Sequence, residues 1–185
     1  MNSFKTIYKV IPLLLLMCLG GTSLYASTIT VTSGGNTGTG TLRNAIASAV
    51  SGDMIVFSGV TTVSLTTGEL LIDKSLTING GAGVTVTRSS GTEFRIFNIT
   101  AGSVSFNNLT ISNGNTSGTN AGGGVLFATG TSVTFTACVI TNNTANEGGG
   151  LDGSGNLTMI NCSITNNTTG GSTVGGGLGI YPPAN

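Results

Sequence analysis

The sequence predicts an all-β chain folded as a parallel β-helix of about five coils, closed at its N-terminal end by a short capping helix. Three observations carry this. Gly, Ser, Thr and Asn supply 99 of the 185 residues, far from the composition of an average globular domain. Three ten-residue segments superimpose without gaps, and each is followed by a glycine triplet; self-similarity at a period of a few tens of residues marks a solenoid. Disorder would pair low hydrophobicity with high net charge, whereas 38% of the residues are hydrophobic and the formal net charge is zero.

The three segments are Val104 to Asn113, Val133 to Asn142 and Leu157 to Asn166, spaced by 29 and 24 residues. Their triplets, Gly122 to Gly124, Gly148 to Gly150 and Gly175 to Gly177, close on Val125, Leu151 and Leu178. Within a unit apolar residues alternate, shift parity at a position such as Ala137, and alternate again, which describes two short strands joined by a bend. The inward sets are Val104, Phe106, Leu109 and Ile111, then Val133, Phe135, Cys138 and Ile140, then Leu157, Met159, Cys162 and Ile164. Like sits above like, as ladders in stacked coils require. Asn108 and Asn161 at the bend are expected to begin an amide ladder. Cys138 and Cys162 share an inward column, either as buried thiols or as a poorly aimed disulfide; both roles are structural. Less regular apolar stretches continue the pattern upstream, from Met54 to Ile99.

Lys5 and Lys9 precede an apolar run from Val10 to Leu19, with Leu24, Tyr25 and Ala26 at its exit. This is the form of a secretory signal peptide, too short and too interrupted to be a membrane span. Residues 1–26 are therefore assigned to the signal, with cleavage between Ala26 and Ser27, leaving a mature chain of net charge −2. Residues 27–53 form an N-terminal strand and the capping helix, and residues 54–185 the β-helix repeats. The helix places Leu42, Ala45, Ile46, Ala49 and Val50 on one face, starts at a threonine and stops at Gly52. The last coil has no such cover, so the sequence reads as truncated at its C-terminal end or closed by self-association.

Gly40-Thr-Leu-Arg-Asn-Ala-Ile46, followed by Gly52-Asp-Met-Ile-Val-Phe57, resembles the opening of secreted bacterial β-helix proteins with a Ser/Thr-Leu-Arg-x-Ala-Ile cap. The later repeats are similar to those of chlamydial polymorphic outer-membrane proteins. That family's Phe-x-x-Asn is met by Ile140-Thr-Asn-Asn143 and Ile164-Thr-Asn-Asn167, and its Gly-Gly-Ala-Ile by Gly148-Gly-Gly-Leu151 and Gly175-Gly-Gly-Leu178. The resemblance implies a right-handed, pectate-lyase-like β-helix, secreted or at the surface or outer membrane of a bacterium, often adhesive.

Functional chemistry is sparse. No His and no Trp occur, and charged residues are 6% of the chain, which excludes a basic nucleic-acid surface and imidazole-held metal. Glu69 and Glu93, 24 residues apart in similar settings with Arg95 nearby, are the candidate catalytic pair, since stacked carboxylates could divide acid and base roles or hold Ca²⁺. Glu147 and Asp152 have no acidic neighbour when the coils are aligned on their glycines. The acid in Gly148-Gly-Gly-Leu-Asp152 does not recur, so neither calcium nor another cofactor is expected. Asn-x-Ser/Thr triplets at Asn98, Asn108 and Asn167 are what so much Asn and Thr produces by chance.

The expected function is an exported, non-catalytic surface protein, adhesin-like or structural, with glycans or host and cell-surface components as partners. The alternative is a polysaccharide lyase or glycoside hydrolase resting on Glu69 and Glu93. A third reading is an ice-binding face of Thr-x-Thr pairs such as Thr85 with Thr87 and Thr134 with Thr136, ranked last because the pairs do not recur in every coil.

Overall fold

The computed structural model describes residues 26–170 and 175–181; most of the signal-peptide reading lies outside the described residues. The chain is a parallel β-helix. The rungs of its long sheet are Thr28–Val31, Met54–Phe57, Leu76–Arg88, Ser103–Ser112, Ser132–Thr136 and Asn156–Ile160, in sequence order. That makes about six turns, one more than a count begun at Met54, because the N-terminal strand is itself the first rung. A second sheet stacks Asn115–Ala121, Thr144–Glu147 and Thr168–Thr169. The third stacks Leu70–Ile72, Phe97–Ile99, Val125–Phe127, Leu151–Gly153 and Leu178–Ile180.

Register confirms the predicted columns. Val104 lies beside Val133 and Val133 beside Leu157; Phe106 lies beside Phe135 and Phe135 beside Met159. The Phe106 and Phe135 rings stack at 5.0 Å and 11°, and Phe97 leans on Phe106 from the third sheet at 4.9 Å. Aromatic contacts at such distances add to what burial alone contributes. The first two inward sets are buried, while Leu157, Met159, Cys162 and Ile164 are partly buried against the same core.

The bend is a left-handed residue. Asn108, Ala137 and Asn161 have φ of 54°, 52° and 54°, and Asn113, Asn142 and Asn166 form a second such column at 60°, 57° and 55°. Asn tolerates this region because its short side chain adds little crowding and bonds locally, whereas alanine there is strained. The expected ladder of Asn108 and Asn161 does not form: both are exposed, Ala137 separates them, and their conformation serves the corner.

The amide ladder runs instead through Asn143 and Asn167, inside the solenoid. Asn143 is fully buried; its Oδ1 accepts the Gly114 N–H at 2.9 Å, and its Nδ2 donates to the Ile111 carbonyl at 3.1 Å and to Asn167 Oδ1 at 3.0 Å. Asn167 Oδ1 also accepts the Asn143 N–H at 2.9 Å, and its Nδ2 donates to the Ile140 carbonyl at 2.8 Å. The glycine triplets make room for these amides. A Cβ at Gly124 would stand 2.9 Å from Asn143 Nδ2, and one at Gly150 the same distance from Asn167 Nδ2.

The capping helix spans Leu42–Ser48, with Thr41 as N-cap accepting the Asn44 N–H. It is shorter than expected. Ala49 already has extended ψ, at 147°, so Val50 is 47% exposed rather than part of the apolar face. The reason is Asp53, whose carboxylate takes the Val50 N–H at 2.9 Å and turns the chain out of the helix; Gly52, at φ 99°, belongs to that turn.

Corner and ladder should respond oppositely to substitution. Ala137→Asn relieves a strained corner and is expected to stabilise by about 0.5–1 kcal/mol. Asn143→Ala strands a buried N–H and carbonyl and is expected to cost about 2–4 kcal/mol. Urea unfolding of both variants beside the parent checks the pair of signs.

Candidate functional site

The chemistry-bearing side chains gather on the outer face of the third sheet and under the capping helix. Glu69 precedes the strand Leu70–Ile72. Its Oε1 accepts from Asn98 Nδ2 at 2.7 Å and its Oε2 pairs with Arg95 Nη1 at 3.1 Å, so both oxygens are engaged. Its stacking with Glu93 is overturned by the register. Leu70 pairs with Phe97, an offset of 27 residues rather than 24, which puts Ile96 alongside Glu69. Glu93 lies exposed ahead of that strand, where its Oε1 accepts from Asn115 Nδ2 at 3.3 Å. Of the predicted group, the structure brings Glu69 and Arg95 together and leaves Glu93 apart.

A cleft of about 310 Å³ separates the helix from this strand, with Ile46, Ala47, Leu70 and Leu71 as apolar walls and Arg43, Glu69, Asp73 and Lys74 as polar ones. Its cations are committed to backbone. Arg43 donates to the carbonyls of Thr67, Gly68 and Glu69 at 2.7, 2.8 and 2.7 Å, and burial lowers its pKa. Lys74 Nζ donates to the Ala49 and Ile46 carbonyls at 3.2 and 3.4 Å, capping the end of the helix, and meets Asp73 at 3.4 Å. The arginine of the cap motif thus ties helix to loop. What remains for a ligand is an exposed Leu71 and the solvent-facing carboxylate of Asp73.

A second group is not evident as a unit in the sequence. Asp152 lies between Leu126 and Gly179, and Glu147 beside Ala121, as the glycine alignment predicts. Yet Asp152 is only 4% exposed, and its Oδ2 and the Nε of buried Arg95 have no hydrogen-bond partner among the described residues. Tyr181 Oη donates to Glu147 Oε2 at 2.8 Å, and that bond is the main reason the phenol is pushed up to about 12. Burial first, and the Glu147 charge second, push the Asp152 carboxyl up to about 6, with Arg95 opposing. Glu147 ends a strand of the second sheet and Asp152 lies in the strand of the third sheet that follows it, so only the corner between two sheets brings them together.

Cys138 and Cys162 are both free thiols, and the Cys138 N–H points at Cys162 Sγ at 3.4 Å; burial raises the Cys138 pKa. Among the described residues no group of three His, Cys, Asp or Glu side chains is placed to hold a metal ion. Asn98 and Asn167, two of the triplet positions, have their amides engaged as described above.

The outer face of the long sheet is of another kind. Beyond the bend, Thr62 pairs with Thr85, Thr85 with Thr110, Thr110 with Val139 and Val139 with Ser163. Two residues along, Ser64, Thr87, Ser112, Thr141 and Thr165 make a parallel column in the same register. Nine of these ten positions carry hydroxyls and none carries charge, and Ser112 among them is buried rather than presented. Strict Thr-x-Thr pairs do not recur from coil to coil, as the sequence indicates, and Val139 interrupts the first column even where serine stands in for threonine.

Comparison with protein-family models, with curated proteins and with solved structures yields no match.

Asp152 gives a pH prediction with a definite sign. Its folded pKa is about 6 against an ordinary 3.8, so its contribution favours folding most below about 3.8 and is lost as pH rises through 6. Asp152→Asn is expected to melt higher than the parent at pH 8, by the equivalent of about 1–2 kcal/mol. The gap should close toward pH 4. Thermal melts across that range decide it, and parallel profiles would show that the carboxylate is comfortably solvated.

Proposed function

We propose that this chain is an exported, non-catalytic β-helix of the bacterial cell surface, which presents neutral walls of Thr, Ser and Asn for adhesive or structural contact with glycans or other surface components. The observation that carries the reading is where the charges go. The ten charged side chains of the described residues lie off the hydroxyl columns. Arg43, Arg88 and Asp53 serve backbone groups, Glu69 with Arg95 and Asp73 with Lys74 form ion pairs, and Glu69, Glu93 and Glu147 take side-chain hydrogen bonds. Side chains committed in this way hold the coils together, and the walls between them offer extended, uncharged contact.

The polysaccharide-cleaving alternative keeps only Glu69, at the mouth of the cleft. Incubation with neutral and acidic polysaccharides is expected to release no new reducing ends or unsaturated products. Cleavage that disappears in a folded Glu69→Gln variant, with melting used to confirm folding, would overturn the non-catalytic reading.

One observation favours a second reading. A flat array of hydroxyls, repeating at about 4.8 Å between strands and about 6.6 Å along them, is matched best by a partner that is itself periodic. Charge is missing for a mineral, and the ten positions of the two columns include no aromatic ring for a crystalline polysaccharide; ice presents uncharged hydrogen-bonding groups in a lattice. On this reading purified protein shapes growing ice crystals and shows thermal hysteresis that Thr85→Lys with Thr110→Lys abolishes and Thr134→Lys, on the neighbouring wall, leaves in place. Absence of hysteresis in the parent protein removes the second reading and leaves the first intact.

A further inference from the structure

We infer that hydrolysis of the Ala26–Ser27 bond creates an amino terminus that Asp53 is built to receive, so that the exported chain gains an ion pair its precursor lacks. The inference rests on the export reading and adds to it a receiving site within the fold. In the hydrolysis, water supplies the oxygen that leaves Ala26 as a carboxylate, and the Ser27 nitrogen takes up protons to become an ammonium.

Two boundaries found by independent means coincide at that bond. In the sequence, an apolar run from Val10 to Leu19 is followed by an exit segment that closes on a small residue, Ala26. In the structure, Ala26 is exposed and Ser27 is held on both its backbone groups. The Ser27 nitrogen donates to Asp53 Oδ1 at 2.8 Å, and the Ser27 carbonyl accepts the Met54 N–H at 2.8 Å. From Thr28 onward the chain is paired strand, with Thr28 beside Met54.

Asp53 is 2% exposed, and its second oxygen is committed to the Val50 N–H. The Val50 and Ser27 N–H groups outweigh burial and hold the Asp53 carboxyl below the usual carboxylate range, so it stands there as an anion that has hydrogen bonds but no counter-charge. The same nitrogen as an ammonium supplies that charge from 2.8 Å without moving, and charge-assisted bonds of this kind are roughly twice as strong as neutral ones. Lys74 and Asp73, on the turn leading into the next rung, are the other charged groups on that side. Lys74 is occupied with the Ile46 and Ala49 carbonyls and with Asp73, and both are common to precursor and product.

The test compares the chain beginning at Ser27 with one retaining Tyr25 and Ala26, each also carrying Asp53→Asn, together with N-terminal sequencing of the exported product. Sequencing is expected to read Ser27. The Ser27 chain is expected to melt several degrees above the extended one at pH 7. An amine whose pKa is raised by its partner stabilises fully below its unfolded value, about 8, and loses that contribution as pH rises through the higher folded value; the difference should therefore vanish by about pH 10. Asp53→Asn should remove it at every pH. Equal melting at pH 7, or a difference that survives Asp53→Asn, overturns the ion pair even where Ser27 is the terminus. An exported product beginning at another residue overturns the processing site, and a chain retained with its first residues overturns the export reading beneath it.

Discussion

The inward amides of Asn143 and Asn167, bonded one to the other, are the constraint on which the regular coils depend. A β-helix must turn three corners per coil, and at each corner backbone groups face inward with no rung to pair them; buried and unpaired, each would cost about 1–3 kcal/mol. Asn143 and Asn167 answer this by acting as side-chain extensions of the ladder, each accepting an N–H from the coil before it and donating to a carbonyl of that same coil. An amide can lie there only if the strand passing opposite has no Cβ, which is why Gly124 stands over Asn143 and Gly150 over Asn167. The first glycine makes the turn itself, with Gly122 and Gly148 at φ 66° and 50°. In these two coils triplet and asparagine are therefore one device, and neither could change independently of the other.

With corners and core held by neutral groups, the few charges are free for places where regularity fails. Arg43 and Lys74 fasten the cap, one to the loop beyond the first rungs and one to the end of the helix. Asp53 ends that helix and anchors the first strand in the same step. Arg88 closes an irregular turn by donating to the carbonyls of Ser90, Thr92 and Asn113. Such charges act as hydrogen-bonding staples on backbone, and a staple is worth most where strand pairing is absent. The long walls, already satisfied by pairing, have no need of them.

The repeat is legible because every coil samples the same few environments, so alternation, parity shift and glycine recur in the sequence as they recur in space. Val104 above Val133 and Phe106 above Phe135 follow directly. Two kinds of information are not legible. The first is offset: coils differ in length, so Glu69 and Glu93 look equivalent at a spacing of 24 while the actual neighbour of Glu69 is Ile96, and only the register reveals it. The second is direction at a corner. Asn108 and Asn143 are both asparagines next to a bend, yet one has left-handed backbone and faces solvent while the other points inward. Composition cannot separate them, because Asn suits both places for different reasons, one conformational and one chemical.

The same logic explains why a hydroxyl wall is hard to see in a sequence and what such a wall can do. A pocket concentrates binding in a few convergent groups, and its residues stand out in a sequence by being unlike their surroundings. A wall spreads weak, equivalent groups over many coils, so no single residue is distinctive and Thr85 matters only as the neighbour of Thr62 and Thr110. Each hydroxyl gains little when it exchanges water for a partner, so affinity must come from number and from the rigidity that keeps the groups in register. That rigidity is supplied from within, by the stacked Phe106 and Phe135 and by the Asn143 and Asn167 amides behind the same coils. Surface and core are coupled here through spacing alone: what fixes the distance between coils inside also fixes the repeat presented outside.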